Sequence, residues 1–397
     1  MNDFINHSFF TANEPVNQKV VFGNKSRNNI AKLARGLGNR VLLVTDKGLT
    51  SAGHPQEIKF LLEKDGFHVT LFDGSKENPT ESSVQECVDL AKASKIDLII
   101  GLGGGSSMDT AKGCNFVLTN GGRMSDFWGI GKATQQMHPF IAIPTTAGTG
   151  SECQSFALIS HDESHKKMAC GDPKALPSVT ILDPELTLSQ PFSVTACTGI
   201  DALSHALESA VTKSRNVFSE RHASKAFQLI SLHLPTVFEN PDDLASRGKV
   251  LLGASHAGAA IEHSMLGAAH SIANPLTARK GLVHGIAVGL ALPKIIKFNA
   301  HQTEARKIYA DLSKKNEIAD KNCSDETAVE LLINCIEKLI HRAGFPLSLS
   351  ELKFTQEDIP SLALDASEQW TARFNPRPLT LDDFENIYSS LFSSIPC

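Results

Sequence analysis

Between residues 41 and 182 the chain repeats one pattern: a short apolar run that closes on turn-forming residues, then a stretch with helical spacing. Apolar runs occupy residues 41–44 (VLLV), 67–72, 97–101 (DLIIG), 140–143 and 179–182, and residues 58–65 and 82–94 carry the helical period. Strand and helix alternating in this way form βαβ units, whose strands lie parallel with helices on both faces of the sheet. Ligands of such sheets sit at the carboxyl ends of the strands. The pattern stops at Asp183-Pro184. From Val194 onward the periodicity is helical, in stretches such as 219–234, 247–273 and 327–343 that are rich in alanine, leucine and isoleucine. The expected architecture is an α/β domain with a parallel sheet over residues 1–190 and an all-α domain over 191–397, with 314–324 (KKNEIADKNCS) a solvated loop.

Composition narrows the function. The 38 Lys and Arg against 43 Asp and Glu leave a net charge of −5, so no bulk positive field recruits nucleic acid or an anionic membrane. The eight cysteines, at 87, 114, 153, 170, 197, 323, 335 and 397, include no CxxC pair, which argues against a disulfide framework or a zinc knuckle. The start, MNDFINHSFFTANEP, lacks the basic and apolar regions of a secretory signal, and no run reaches the roughly 18 to 20 apolar residues of a spanning helix. A reduced, cytoplasmic protein is expected.

The 97–101 strand runs into Gly101-Leu102-Gly103-Gly104-Gly105-Ser106-Ser107-Met108-Asp109-Thr110-Ala111-Lys112, between a strand and a helix. Bare backbone N–H groups and a helix N-terminus there can hold phosphate oxygens. A tight βα turn uses glycine in the same way, and the run is neither GxGxxG nor a Walker A loop. Asp46 ends the 41–44 strand, where a carboxylate can accept from ribose hydroxyls and repel a 2′-phosphate, favouring NAD over NADP. It can equally serve as a helix N-cap. A polar loop over residues 144–152 (PTTAGTGSE) follows the 140–143 strand and brings hydroxyls to the same edge.

The second half carries a possible metal set. Asp201 and His205 lie at i and i+4, on one face of a helix. His270 (GAAHS) and His284 (GLVHG) can complete it, with a chain break expected at Asn274-Pro275. One carboxylate and three imidazoles with open positions suit Fe(II) or Zn(II), either able to polarise a carbonyl. With 15 histidines in the chain, spacing alone does not separate this set from chance.

Taken together, GGGSSMDTAK, PTTAGTGSE, DALSHALES, GAAHS and GLVHG, followed by NPRPLTLDD at residues 375–383, resemble in order and spacing the iron-containing (group III) alcohol dehydrogenases over nearly the whole chain. The resemblance implies an N-terminal Rossmann-like domain, a C-terminal helical domain of the dehydroquinate synthase-like fold, and a catalytic metal in the cleft between them. It implies metal ligands at Asp201, His205, His270 and His284, with Fe(II) favoured and Zn(II) as alternative. The implied NAD(H) contacts are Asp46, Asn78, Gly104, Gly105, Ser106, Ser107, Asp109, Thr145, Thr146, Thr149, Lys167 and Val194. Dimers or larger homo-oligomers are implied as well.

The chain departs from the family pattern twice. Many relatives carry a histidine four residues after the third ligand, where this chain has Asn274, an amide that cannot relay a proton. Relatives tend to have Asn where His263 stands; with His256 and His270 it forms a series spaced by seven, expected near one helical face. His263 can line the substrate pocket or deliver protons, or, like His256, simply pack between helices. Arg279 and Lys280, expected on a loop closing over the metal, can clamp an anionic group or remain solvated. The expected reaction is reversible hydride transfer between a nicotinamide and a small primary alcohol or aldehyde, with an anionic aldehyde such as phosphonoacetaldehyde or sulfoacetaldehyde as one form. Alternatives are a glycerol-phosphate dehydrogenase or dehydroquinate synthase-like enzyme, and a catalytically silent dinucleotide sensor.

Overall fold

The alternating apolar runs form strands in a computed structural model that describes residues 9–11, 13–163 and 166–394. The leader-peptide reading falls partly on residues 1–8 and 12, and Cys397 too lies outside the described residues. Contacts divide the chain into two units, Met1–Gln190 and Pro191–Cys397.

The first unit contains β1 (Lys19–Phe22), α1 (Ile30–Ala34), β2 (Arg40–Val44), α2 (Lys47–Ala52), α3 (His54–Lys64), β3 (His68–Phe72), α4 (Glu81–Ser94), β4 (Leu98–Gly103) and α5 (Gly105–Asn120). It continues with β5 (Gly129–Ile130), β6 (Phe140–Pro144), β7 (Phe156–Ser160), β8 (Lys167–Gly171) and β9 (Val179–Leu182). Six strands pair in parallel in the order β1-β9-β6-β4-β2-β3. The period of two sorts their side chains onto two faces. Leu42, Val44, Ile99 and Ala142 pack with Val84 and Val88 of α4 and Met108 and Ala111 of α5. Val41, Leu43, Leu98, Ile100 and Ile141 pack with Ile30 of α1 and Ile58 and Leu62 of α3. Each such fully buried Val, Leu, Ile or Met side chain contributes about 1.5–3 kcal/mol, so both helical layers are held by the strands they cover.

Two features were not expected from the sequence. Edge strand β1 precedes the apolar runs that begin at residue 41, and β5, β8 and β7 form a second sheet in which β7 and β8 are antiparallel. These strands are short and only partly buried, so their alternation is broken by exposed positions such as Leu158.

The second unit is helical: α6 (Phe192–Ser209), α7 (Val217–Glu239), α8 (Leu244–Ser264), α9 (Ala268–Lys280), α10 (His284–Asn299), α11 (Thr303–Lys315), α12 (Asp325–Arg342), α13 (Ile359–Ser367) and α14 (Leu381–Ser390). The stretch 247–273 is not one helix. Met265, at φ 74°, ends α8, and α9 begins after Gly267. The break expected at Asn274-Pro275 is absent, because α9 runs through Pro275 to Lys280. Pro275 removes one helical hydrogen bond, but it and the adjoining Leu276 are buried, and packing outweighs the loss. His270 therefore does not share a helix face with His256 and His263. None of the helices among the described residues is long and apolar enough to cross a membrane.

Helix α10 meets α6 at its first turn with almost no clearance. A Cβ added to Gly285 would stand 2.2 Å from the Cys197 carbonyl oxygen, and one at Gly289 would stand 3.1 Å from Ile200 Cγ2. Helix propensity alone favours alanine over glycine by about 1 kcal/mol, whereas a clash with main chain forces the two helices apart. Gly285→Ala should therefore destabilise the protein by about 1–3 kcal/mol, read from urea unfolding, and an unchanged or raised midpoint would show that the contact is soft.

Candidate metal centre and dinucleotide cradle

Asp201 and His205 sit one turn apart on α6, His270 is the third residue of α9, and His284 opens α10. Asp201, His205 and His270 are buried, and His284 is half-buried. All three imidazoles turn Nε2 toward Asp201 Oδ1, at 3.3 Å from His205, 3.4 Å from His270 and 3.8 Å from His284. The Nε2 atoms of His205 and His270 lie 3.1 Å apart with their rings stacked. Although Asp201 Oδ1 is fully buried, none of these approaches gives it a well-formed hydrogen bond.

Burial pushes the Asp201 carboxyl up, but the facing His205, His270 and His284 outweigh it and hold the group well below the ordinary carboxylate range. Burial pulls the His270 imidazole down, yet Glu208 and Asp201 together push it up to about 9. The site therefore asks for positive charge. A carboxylate oxygen left without a good donor and the ligand atoms of His270 and His284, all within 4.8 Å of one another, fit a divalent metal ion, with His205 Nε2 beside Asp201 and His270.

Sequence reasoning missed Glu208. It is 2% exposed; Oε2 contacts His270 Nδ1, and Oε1 accepts from the Ala269 N–H at 2.7 Å. Its signal was a second acidic residue seven positions after Asp201, two turns along the same helix and so on the same face. Val194 lies half-buried on α6, two turns before Asp201.

The other residues singled out in this half have contacts of their own. His256 is buried against His222, with Nδ1 atoms 2.7 Å apart, and the His263 ring tilts against Phe218 and stacks on His222. Asn274 donates from Nδ2 to Gln369 Oε1 at 3.0 Å. Arg279 and Lys280 are not on a loop: they form the last turn of α9, where Arg279 bonds Asp365 and Lys280 bonds Asp358, both at 2.6 Å. Cations at a helix C-terminus are favoured by its dipole and here are also paired with carboxylates.

In the first unit the glycine loop follows β4, with Gly104 as the N-cap of α5 and no side chain capping its first turn. Gly104, Gly105 and Ser106 are half-buried at the tip, and Ser107 is buried. A Cβ at Gly104 would stand 3.3 Å from Thr146, and one at Gly105 would stand 2.8 Å from Thr149 Cγ2, so the two loops lie against each other. The Thr145 N–H donates to Gly103 O at 3.0 Å, and its hydroxyl accepts from Gln190.

Asp109 points inward and accepts from Ser151 Oγ at 3.1 Å; burial pushes its pKa up to about 6, against the opposing pull of Lys112. Lys112, itself buried, donates to Ser151 O and Phe156 O and so ties α5 to the 144–152 loop and β7. Asp46 is the N-cap of α2, accepting from the Leu49 N–H at 3.0 Å, and its second oxygen lies 3.5 Å from Ser107 Oγ. The cap reading of this aspartate is thus seen directly. Asn78 is exposed at φ 52°, and Lys167 is exposed on β8, with its charge acting on Asp109.

Comparison with known proteins agrees across both units. Residues 17–184 match the family described as iron-containing alcohol dehydrogenase, and residues 195–392 match the C-terminal part described as the Fe-containing alcohol dehydrogenase family. An NAD-dependent methanol dehydrogenase from Bacillus methanolicus is 35% identical over 349 residues, 88% of this chain and 91% of the relative. A crystal structure of 1,3-propanediol oxidoreductase superposes with a TM-score of 0.91 at 30% identity, covering 95% of this chain and 98% of the other. A sulfoacetaldehyde reductase from Bifidobacterium kashiwanohense, in complex with NAD+, superposes with a TM-score of 0.87 at 28% identity, covering 97% and 99%. The chain belongs to the iron-containing alcohol dehydrogenase family, and with it to the metal-dependent, NAD(P)-linked oxidoreductases that interconvert alcohols and aldehydes.

Proposed function

We propose that this protein reduces a small uncharged aldehyde, or oxidises the matching primary alcohol, with NAD(H) and a divalent metal held by Asp201, His205, His270 and His284. The observation that carries the reading is the convergence of three imidazole Nε2 atoms on one buried carboxylate oxygen. A metal bound there supplies Lewis acidity toward the carbonyl oxygen. Fe(II) is favoured by the family's description, and Zn(II) suits the same donors. The reading includes a cytoplasmic location, in keeping with cysteines that form no CxxC pair, and a homodimer or larger assembly, which the family resemblance implies.

The chain's own residues would orient rather than react. Gly104, Gly105 and Ser106 open α5 with bare N–H groups suited to a pyrophosphate, beside Thr146 and Thr149. Ser107 sits next to the Asp46 carboxylate, whose position at the end of β2 suits ribose hydroxyls and disfavours a 2′-phosphate. Asn78, Thr145, Asp109, Lys167 and Val194 belong to the proposed cofactor site on the resemblance alone. Asn274 holds its hydrogen bond to Gln369 and has no proton to relay, so the alkoxide proton must come by another route.

Relatives named for methanol and 1,3-propanediol support a small uncharged substrate, and the one named for sulfoacetaldehyde supports an anionic one. The uncharged reading is favoured because Arg279 and Lys280 already hold Asp365 and Asp358.

Stripping the protein with a chelator should abolish NADH-linked aldehyde reduction, Fe(II) or Zn(II) should restore it, and Asp201→Ala should reproduce the stripped state; turnover by metal-free protein would sink the reading, and tight NADH binding without turnover on any aldehyde would favour a dinucleotide sensor. Asp46→Ser keeps an N-cap oxygen but removes the charge, so kcat/KM with NADPH relative to NADH should rise about tenfold; an unchanged ratio would reduce Asp46 to its cap. Arg279→Ala should change kcat/KM for acidic and neutral aldehydes alike, and a loss confined to acidic aldehydes would restore the anion clamp.

A further inference from the structure

We infer that Glu208 is a positioning residue for His270: it fixes which ring nitrogen carries the proton and so leaves the Nε2 lone pair for the metal. The inference rests on the proposed metal set and extends it to a residue outside that set. Glu208 serves two donors at once. One oxygen accepts from the Ala269 N–H at 2.7 Å, at the second position of α9, and the other contacts Nδ1 of His270, the next residue. The bond to the main chain anchors the carboxylate to the helix that bears the imidazole, so ring and acceptor are held in one frame.

The surroundings leave it little freedom. Gly267 precedes α9, and a Cβ there would stand 3.1 Å from Glu208 Oε1 and 3.0 Å from Asn375 Oδ1. Asn375, the first residue of the NPRPLTLDD segment, takes the neighbouring Ala268 N–H at 3.2 Å and is itself held by Asn299 and the Arg377 carbonyl. Two buried side-chain acceptors therefore cap α9, whose own N-cap glycine has no side chain to do so. Only one of them also meets the imidazole of His270.

A carboxylate is needed because both groups facing Glu208 donate. A carboxylate offers only acceptors, whereas an amide offers one acceptor and one donor group. In Glu208→Gln, an oxygen kept on Ala269 turns the NH2 toward Nδ1. That nitrogen must then accept, the ring proton moves to Nε2, and the lone pair is lost to the metal. The flipped amide preserves the tautomer but sets NH2 against the Ala269 N–H.

Glu208→Gln should bind Zn(II) about 10- to 100-fold more weakly than wild type, measured by chelator competition on folded protein. Asn375→Ala should lower the melting temperature of the metal-free protein while leaving its Zn(II) affinity near wild type. Glu208→Gln binding Zn(II) as tightly as wild type would overturn the inference and leave Glu208 as a helix cap. Failure of wild type to bind Zn(II) would instead overturn the proposed metal centre. If Glu208→Gln does not fold, the ring 15N shifts of His270 in zinc-loaded wild type decide: a protonated Nδ1 is expected, and an unprotonated one refutes the assignment.

Discussion

One buried oxygen sets the geometry of the helical unit. Three imidazole nitrogens reach Asp201 Oδ1 within 3.8 Å, and they come from α6 itself and from the opening turns of α9 and α10. Side chains as short as Asp and His can meet only if those turns press closely together. The cost is paid in small residues: Gly285 lets α10 touch the main chain of α6 at Cys197, and Gly267 clears room for the two acceptors over the start of α9. Gly267 and Gly285 are thus placed by the needs of the polar centre rather than by helix propensity.

A related economy operates in the first unit, with backbone in place of imidazole. The strand that brings the glycine loop to the sheet edge is the fully buried β4, flanked on both sides by parallel partners. The loop's shape is then held from below by a buried charge. Lys112 fills its hydrogen bonds on Ser151 and Phe156, and Ser151 passes a bond to Asp109, so α5 and the 144–152 loop are tied together. Two residues of the GGGSSMDTAK motif, Asp109 and Lys112, accordingly serve the support of the loop rather than its tip, where Gly104, Gly105 and Ser106 lie.

What the sequence made legible follows the same division. The parallel sheet was readable because central strands buried on both faces are continuous apolar runs, and the pairing of Asp201 with His205 because the two carry helical spacing. The end of α8 was not, since Met265-Leu266-Gly267 continues an apolar pattern and only the left-handed backbone at Met265 stops the helix. Asn274-Pro275 misled in the opposite sense, because local chemistry says break while burial says continue. That error carried Arg279 and Lys280 onto a loop and made free cations of residues whose carboxylate partners lie some 80 positions away in sequence. Glu208 was hidden for a different reason: glutamate on a helix ordinarily marks a solvated face, and its burial depends on a donor 62 residues away.

Charge balance explains why a second carboxylate belongs in this centre. His270 and His284 both lie in the first turn of a helix, where the unsatisfied N–H groups present positive potential. A divalent ion beside two such ends would be repelled, and Asp201 alone would leave the group with a net positive charge in a buried site. Glu208 answers both terms, since it accepts one of the free N–H groups of α9 and supplies the second negative charge one imidazole away from the proposed ion. The ion, Asp201 and Glu208 together form a neutral set, which is the condition for burying charge without a large desolvation penalty. A monovalent cation at the proposed site would leave the same pair of carboxylates with excess negative charge, so the charge balance favours a divalent one.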